Sequence, residues 1–268
     1  MKLAVFYDHV LRAAEQRSLP LPEVLRRVRE MGYTLLEVDF DHLEADPALA
    51  DKLRAAGFGI ANICCYFSFE KEADRGRMQR LIAAAKQAGA PRVMPIPGLY
   101  TEKSNPAELA RMTSAMAQLT SMAQATGLTI TLEDYDHPLS PIYDSKGLLH
   151  FLRDQEALGV AFDTGNFRFA NEDVLSAFHA LKERIRHVHV KDRALAPCCG
   201  ESNRTALDGT PLYPCAVGAG VLPLRDVFAL LKGIGYDQVL TVEHFDADDQ
   251  LQAMADSARF MHRHFTFE

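Results

Sequence analysis

Four metal-ligating residue types close four successive apolar runs in the second half of the chain. The runs are Leu128-Thr-Ile-Thr-Leu-Glu133, Gly159-Val-Ala-Phe-Asp163, His187-Val-His189-Val190 and Val239-Leu-Thr-Val-Glu243. Two glutamates, an aspartate and an imidazole suit a divalent cation, because carboxylates favour hard ions and one imidazole opens the site to softer ones. Mn²⁺ is the first expectation, with Mg²⁺, Co²⁺ and Zn²⁺ as alternatives. Such an ion polarises a carbonyl and a neighbouring hydroxyl as a Lewis acid. A lone glutamate at a strand end is more often a salt-bridge partner. The metal reading gains its weight from four such residues falling on consecutive strands with one parity.

That parity dictates the scaffold. Side chains alternate faces along a strand. Counting back by twos from each ligand-type residue gives Thr131, Ala161, Gly159, His187, Thr241 and Val239, which are mostly small or polar. The other face gives Ile130, Leu132, Val160, Phe162, Val188, Val190, Leu240 and Val242, all apolar. A parallel barrel requires this pattern, with apolar side chains outward under helices and functional groups at the carboxyl ends of strands. Strands are predicted at 2–7, 35–40, 59–66, 92–96, 128–134, 159–163, 187–191 and 239–243. Helical patterns fall near 20–31, 46–56, 71–89, 106–126, 144–157, 172–184, 223–233 and 248–263. Pro22, Asp46-Pro47, Asn105-Pro106 and Asn171-Glu172-Asp173 supply start signals. Strict alternation predicts an α/β fold, a (β/α)₈ TIM barrel forming a single domain over residues 1–268. An open doubly wound sheet is the structural alternative.

Composition narrows the function. The chain has 268 residues, a formal net charge of -7 and 24% charged residues. An acidic surface argues against nucleic acid, whose phosphates need clustered Lys and Arg. No run has the length of a membrane span or the pattern of a signal peptide. Five cysteines, an odd number, are expected as free thiols in a reducing cytoplasm. The connection between Asp192 and Val221 is unusually long for a βα loop and leaves the barrel just after His189. It is expected to lie over the cavity mouth or at a bordering subunit contact.

At the level of motifs the chain resembles the xylose isomerase-like barrel family of sugar isomerases, keto-sugar epimerases, inosose dehydratases and endonuclease IV. The matching residues are Leu132-Glu133, Phe162-Asp163-Thr164-Gly165-Asn166, His187-Val188-His189-Val190-Lys191-Asp192, Val217-Gly218-Ala219-Gly220-Val221, Gly235-Tyr236 and Val242-Glu243-His244. The resemblance implies that Glu133, Asp163, His189 and Glu243 are the metal ligands. It also implies that Glu133 and Glu243 double as the acid/base pair on opposite faces of the substrate. Many relatives carry His three residues after the strand-six aspartate. Here that position is Asn166, whose amide can bond a substrate hydroxyl but cannot carry a proton.

Other residues have plainer readings beside functional ones. His187 is expected as a hydrogen-bonded core histidine. Lys191 is read as a contact to substrate oxygens or as a salt bridge to Asp192 or Glu243. Asn62 and Tyr66, near the end of strand three, are expected to line the pocket and bind substrate. Glu37 and Asp39 are read as partners orienting a ligand or as solvent-facing. Asp134, Asp136 and His137 are expected to be an exposed loop cluster, and His244 with Phe245 a wall behind Glu243. Val217-Gly-Ala-Gly220 invites a phosphate-site reading, although short glycine loops before helices are common.

The expected activity is therefore that of a metal-dependent carbohydrate isomerase or keto-sugar epimerase working through an enediolate. Its partner is a small-molecule sugar or polyol-derived ketone, with self-association into a homo-oligomer left open. An inosose-type dehydratase shares the first half-reaction. Strands two to four end without the extra histidines that an endonuclease IV-like cluster needs. A non-catalytic sugar-binding barrel has no use for two opposed bases.

Overall fold

Outward and inward faces of the strands sort as their alternation requires. The computed structural model describes residues 1–267. Seven barrel strands come first: β1 (Lys2–Phe6), β2 (Leu35–Asp39), β3 (Gly59–Tyr66), β4 (Arg92–Ile96), β5 (Thr129–Glu133), β6 (Leu158–Asp163) and β7 (Ile185–Lys191). Three short strands follow in the long connection, β8 (Arg193–Ala194), β9 (Arg204–Thr205) and β10 (Pro211–Pro214). The last barrel strand, β11 (Val239–Glu243), pairs in parallel with both β7 and β1 and closes the barrel. Ile130, Leu132, Val160, Phe162, Val188, Val190, Leu240 and Val242 all belong to the main core beneath the helices. Each such side chain contributes roughly 1.5–3 kcal/mol when fully buried. The barrel interior is different. Ala4, Ala61 and Val239 form a small apolar floor. Above it lie the fully buried polar groups of Glu37, Asn62, Thr131, His187 and Thr241.

The outer layer is made by α1 (Tyr7–Arg17), α2 (Leu21–Glu30), α3 (Phe40–Ala45), α4 (Leu49–Ala55), α5 (Arg75–Ala88), α6 (Pro106–Gln124), α7 (Ser145–Leu152), α8 (Val174–Leu181), α9 (Leu224–Gly233) and α10 (Gln250–His264). Asn105 caps α6 by accepting from the N–H of Ala107 at 3.1 Å, and Asp173 caps α8 through Ser176 at 2.8 Å. Gly89 ends α5 with φ of 70°, a left-handed conformation that glycine adopts without steric cost. Among the described residues no helix is long and apolar enough to cross a membrane.

The alternation is less strict than the sequence predicts. Helices α1 and α3 start directly from the ends of β1 and β2, with no side-chain cap to announce them. Helix α7 stops at Leu152, short of the predicted 157, and α8 gives way to a 3₁₀ turn at Lys182–Arg184. The long connection carries a small antiparallel sheet in the order β8-β10-β9.

Candidate metal centre and active site

Strand register brings the four ligand-type residues together. Asp163 on β6 lies beside His189 on β7, and Glu243 on β11 lies beside Lys191. One donor atom from each of Glu133, Asp163, His189 and Glu243 falls within 4.8 Å of every other, and all four residues are buried. His189 Nδ1 is hydrogen-bonded to Glu133 Oε1 and stands 3.4 Å from Glu243 Oε2. Asp163 Oδ1 accepts from the N–H groups of Gly165 and Asn166 at 2.6 and 2.7 Å, which fixes the carboxylate. Its other oxygen, Oδ2, is buried without a hydrogen-bond partner, as is Glu243 Oε2. Buried polar atoms are ordinarily paired. Converging acceptor oxygens with no donor are suited to a cation, and three carboxylates with one imidazole fit a divalent one.

The layer beneath orients the imidazole. Glu37 is fully buried, and its two oxygens lie 3.1 and 3.2 Å from His189 Nε2. An ionised carboxylate can only accept, so Nε2 donates to Glu37, which leaves Nδ1, the nitrogen facing Glu133 and the cluster, as the one a cation would take in exchange for its proton. Glu37 also bonds His187 Nε2 and accepts from Asn62 Nδ2 at 2.8 Å. His187 is thus the core histidine expected. Glu37, His187 and His189 also stand close enough to hold a metal, but their contacts are already hydrogen bonds in a closed layer. The Phe6 ring meets the His189 imidazole edge-on, with centroids 5.1 Å apart.

Lys191 supplies the positive charge. Its ammonium pairs with Glu243 Oε1, lies 3.4 Å from Asp163 Oδ2 and donates to Asn166 Oδ1 at 2.7 Å. Asn166 in turn donates to the backbone carbonyl of Asp134 at 2.8 Å. The two glutamates consequently differ. Burial raises Glu133 to about 7 against the pull of His189, with the charge of Glu243 adding to the rise. Burial also opposes ionisation of Glu243, but Lys191 and His189 hold its carboxyl well below the usual range. Burial raises Asp163 to about 6 against the pull of Lys191. His189 is raised well above the ordinary range despite burial, because Glu37 and Glu133 face it.

A cavity of about 330 Å³ opens above this cluster. Its lining includes Glu133, Asn166, Lys191 and Glu243, together with Tyr66, Asp39 and Phe245. Asn62 is not on that surface. It is fully buried one layer down on Glu37, because β3 runs on through Cys64 to Tyr66 before reaching the mouth. Asp134 and Asp136 are buried rather than exposed. Asp134 accepts from the N–H of Asp163, and Asp136 pairs with Arg193 and Arg204. His244 turns away from Glu243 and stacks on His9, with ring centroids 4.6 Å apart.

The long connection contributes directly, since Arg193 of β8 and Arg204 of β9 line the cavity. Sequence reasoning located this segment without identifying its charges. Asp192 clasps the base of the loop. Its carboxylate accepts from the N–H groups of Arg193, Gly218, Gly220 and Leu222 at 2.9–3.2 Å. The glycine turn is therefore filled by the protein's own carboxylate. A Cβ at Gly220 would fall inside van der Waals contact with Asp192 Oδ1 and Arg193 O.

Comparison with known proteins agrees with this architecture. L-ribulose 3-epimerase of Mesorhizobium japonicum is 23% identical over 88% of this chain and 79% of its own length. Inosose dehydratase 2 of Bacillus cereus is 28% identical over 54% of this chain and 48% of its own. The structure of D-allulose 3-epimerase from Methylomonas sp. in complex with D-allulose superposes with a TM-score of 0.76. That alignment covers 99% of this chain and 97% of that one, at 16% identity. A profile described as xylose isomerase-like TIM barrel matches residues 25–264. With the closed eight-stranded barrel and near end-to-end coverage, the chain belongs to the xylose isomerase-like TIM barrel family.

Proposed function

We propose that the protein is a divalent-metal-dependent epimerase or isomerase of a keto-sugar. Glu133, Asp163, His189 and Glu243 hold the ion, with Mn²⁺ the best match to the donor set and Mg²⁺, Co²⁺ or Zn²⁺ as alternatives. The observation that carries the reading is the convergence of two glutamates, an aspartate and a histidine in one buried cluster, beneath a cavity that Glu133 and Glu243 both line. Two carboxylates facing one substrate cavity are placed to take a proton and return one.

The difficulty of the reaction is the acidity of a C–H bond beside a carbonyl. When bound, the ion supplies a Lewis acid for the carbonyl and adjacent hydroxyl oxygens. Glu243, held ionised by Lys191, accepts the proton from carbon. Glu133 donates one to the opposite face for epimerisation or to the neighbouring carbon for isomerisation. The Lys191 ammonium lowers the energy of the enediolate oxygens between these steps. Asn166 and Tyr66 contact substrate hydroxyls. The Nδ1 lone pair of His189 is aimed by Glu37.

A second reading is a dehydratase, in which the same enediolate expels a β-hydroxyl. The local likeness to inosose dehydratases supports it. Incubating the Mn²⁺-loaded protein with ketoses, aldoses and inososes in deuterated water, read by NMR, tests both. Deuterium uptake with retention of all hydroxyls supports the first reading. Loss of water supports the second. Exchange that does not depend on the metal would refute the role of the ion, and no exchange with any of these classes would refute proton transfer at this site.

A further inference from the structure

The cavity is electrically two-sided. Asp8, Asp39 and Asp246 line it at the ends of β1, β2 and β11, while Arg193 of β8 and Arg204 of β9 line it where they meet Asp136, just past β5. In the barrel order, β5 and β6 lie across from β1 and β2. Both guanidiniums converge on a single carboxylate oxygen. Arg193 Nη2 stands 2.8 Å and Arg204 Nε 3.1 Å from Asp136 Oδ2. One carboxylate balances one guanidinium, so this wall retains a positive charge, with the Lys191 ammonium nearby. Arg193 is 8% exposed, yet its Nε is buried without a hydrogen-bond partner. A planar guanidinium suits bidentate binding of carboxylate and phosphate. Arg204 keeps 43% of its side chain exposed and reaches the cavity from β9.

The other place where an anion might be sought is closed. The N–H groups of Gly218 and Gly220 are already bonded to Asp192 Oδ2 at 3.0 and 2.9 Å. Away from Lys191 and the proposed ion, the arginine wall is what this cavity offers to an anionic group of a ligand.

We propose that the substrate is an anionic polyhydroxy ketone, its carboxylate or phosphate bound by Arg193 and Arg204 and its hydroxyls facing the aspartate wall. This rests on the epimerase or isomerase reading and names the substrate class for it. The small sheet of β8, β9 and β10 then has a defined task, to deliver two guanidiniums to one side of the mouth. Hydroxyl donors suit the far wall, because aspartates accept from them.

Calorimetry of the Mn²⁺-loaded protein with gluconate, glucitol 6-phosphate and neutral glucitol tests the proposal without turnover. At least one of the anions is expected to bind about 10–100-fold more tightly than glucitol, the range of a charge-assisted contact. The tighter of the two identifies carboxylate or phosphate as the natural group. Arg204→Gln should remove that preference and leave glucitol affinity within about threefold. This variant also separates guanidinium binding from direct attachment of a carboxylate to the ion. Equal affinity for all three compounds overturns the proposal, as does an equal loss for all three in Arg204→Gln. The arginines would then serve only to hold Asp136 and the loop. The two readings fail separately. Anion preference without deuterium exchange removes the proton-transfer mechanism and keeps the anion site. Exchange on neutral ketoses without anion preference does the reverse.

Discussion

Replacing Glu37 by Gln isolates the charge beneath the proposed metal centre. The side chain keeps its size, and one oxygen can still accept from His187 and His189. The new amide would face Asn62 Nδ2, donor against donor, across what is now a 2.8 Å hydrogen bond. Asn62 can answer this by rotating its own amide, because its Oδ1 is buried without a partner. The fold should therefore tolerate the change at about 1 kcal/mol, near the net value of a single hydrogen bond. The centre should not. Outer partners of a ligating histidine are typically worth about 10–100-fold in metal affinity, or roughly 1.4–2.7 kcal/mol. The pH dependence carries a second signature. Proton and cation compete for His189 Nδ1, and Glu37 favours both by stabilising positive charge on the ring, which helps to raise its pKa well above the usual value. Without Glu37 the proton competes less, so the deficit should be largest at high pH and shrink as pH falls. Competition titration of Mn²⁺ against a chelator between about pH 6 and 9 reads both effects. Affinity unchanged within about threefold, or a deficit independent of pH, would refute the assignment of Glu37 as the group that aims His189.

With Mn²⁺ at saturation, Glu133→Gln and Glu243→Gln should each lower turnover by about 10²–10⁴-fold, the usual worth of a positioned acid or base. Asp163→Asn should mainly weaken metal binding and be partly rescued by excess metal. Near-normal rates for both Gln variants in high Mn²⁺ would show the glutamates to be ligands only. Burial and the neighbouring Asp8 raise Asp39 to about 7. The folded state then binds more protons than the unfolded one between about pH 4 and 7, so stability falls across that window and is flat above it. Asp39→Asn should raise Tm at pH 8 and change little at pH 4. The shift sets an upper bound of about 4 kcal/mol, reduced by screening of a partly covered carboxyl. Equal Tm changes at the two pH values would count against it. Gly220→Ala should loosen the Asp192 clasp, raising KM and making segment 193–216 more susceptible to proteolysis, while the barrel's thermal transition moves little. An unaltered cleavage pattern would show that the clasp is dispensable.

The second half of the barrel was legible because each strand there carries its own contrast. In Thr129–Glu133 and Val239–Glu243 the outward face is apolar and the inward face small, so parity alone aims Glu133 and Glu243 at one point. The first half lacks that contrast. Glu37 reads as an isolated polar residue because its partner His187 is about 150 positions away in the chain, and Asn62 because its partner is Glu37 on the neighbouring strand. Asn62 was expected at the mouth, and no local signal tells its layer from that of Tyr66. Helices α1 and α3 escaped because a strand running directly into a helix leaves no capping residue to mark the boundary. Asp134 and Asp136 look like loop residues in sequence. Their burial follows from Asn166, Arg193 and Arg204 folding over them, a tertiary event with no periodicity to reveal it.

The clasp at Asp192 has a consequence for how such a barrel can change over time. Its carboxylate joins the two feet of the loop, residues 193 and 218–222, so their closure does not depend on what lies between. Lengthening a flexible loop is thermodynamically gentle, about 0.6 kcal/mol for each doubling. The span from β8 to β10 can thus be lengthened, shortened or rewritten as a cassette. Glu133, Asp163, His189 and Glu243 sit on strands that such an exchange does not touch. With the roles proposed for them, the parts that set substrate preference and the parts that move the proton are separable along the chain, so one can drift while the other stays fixed.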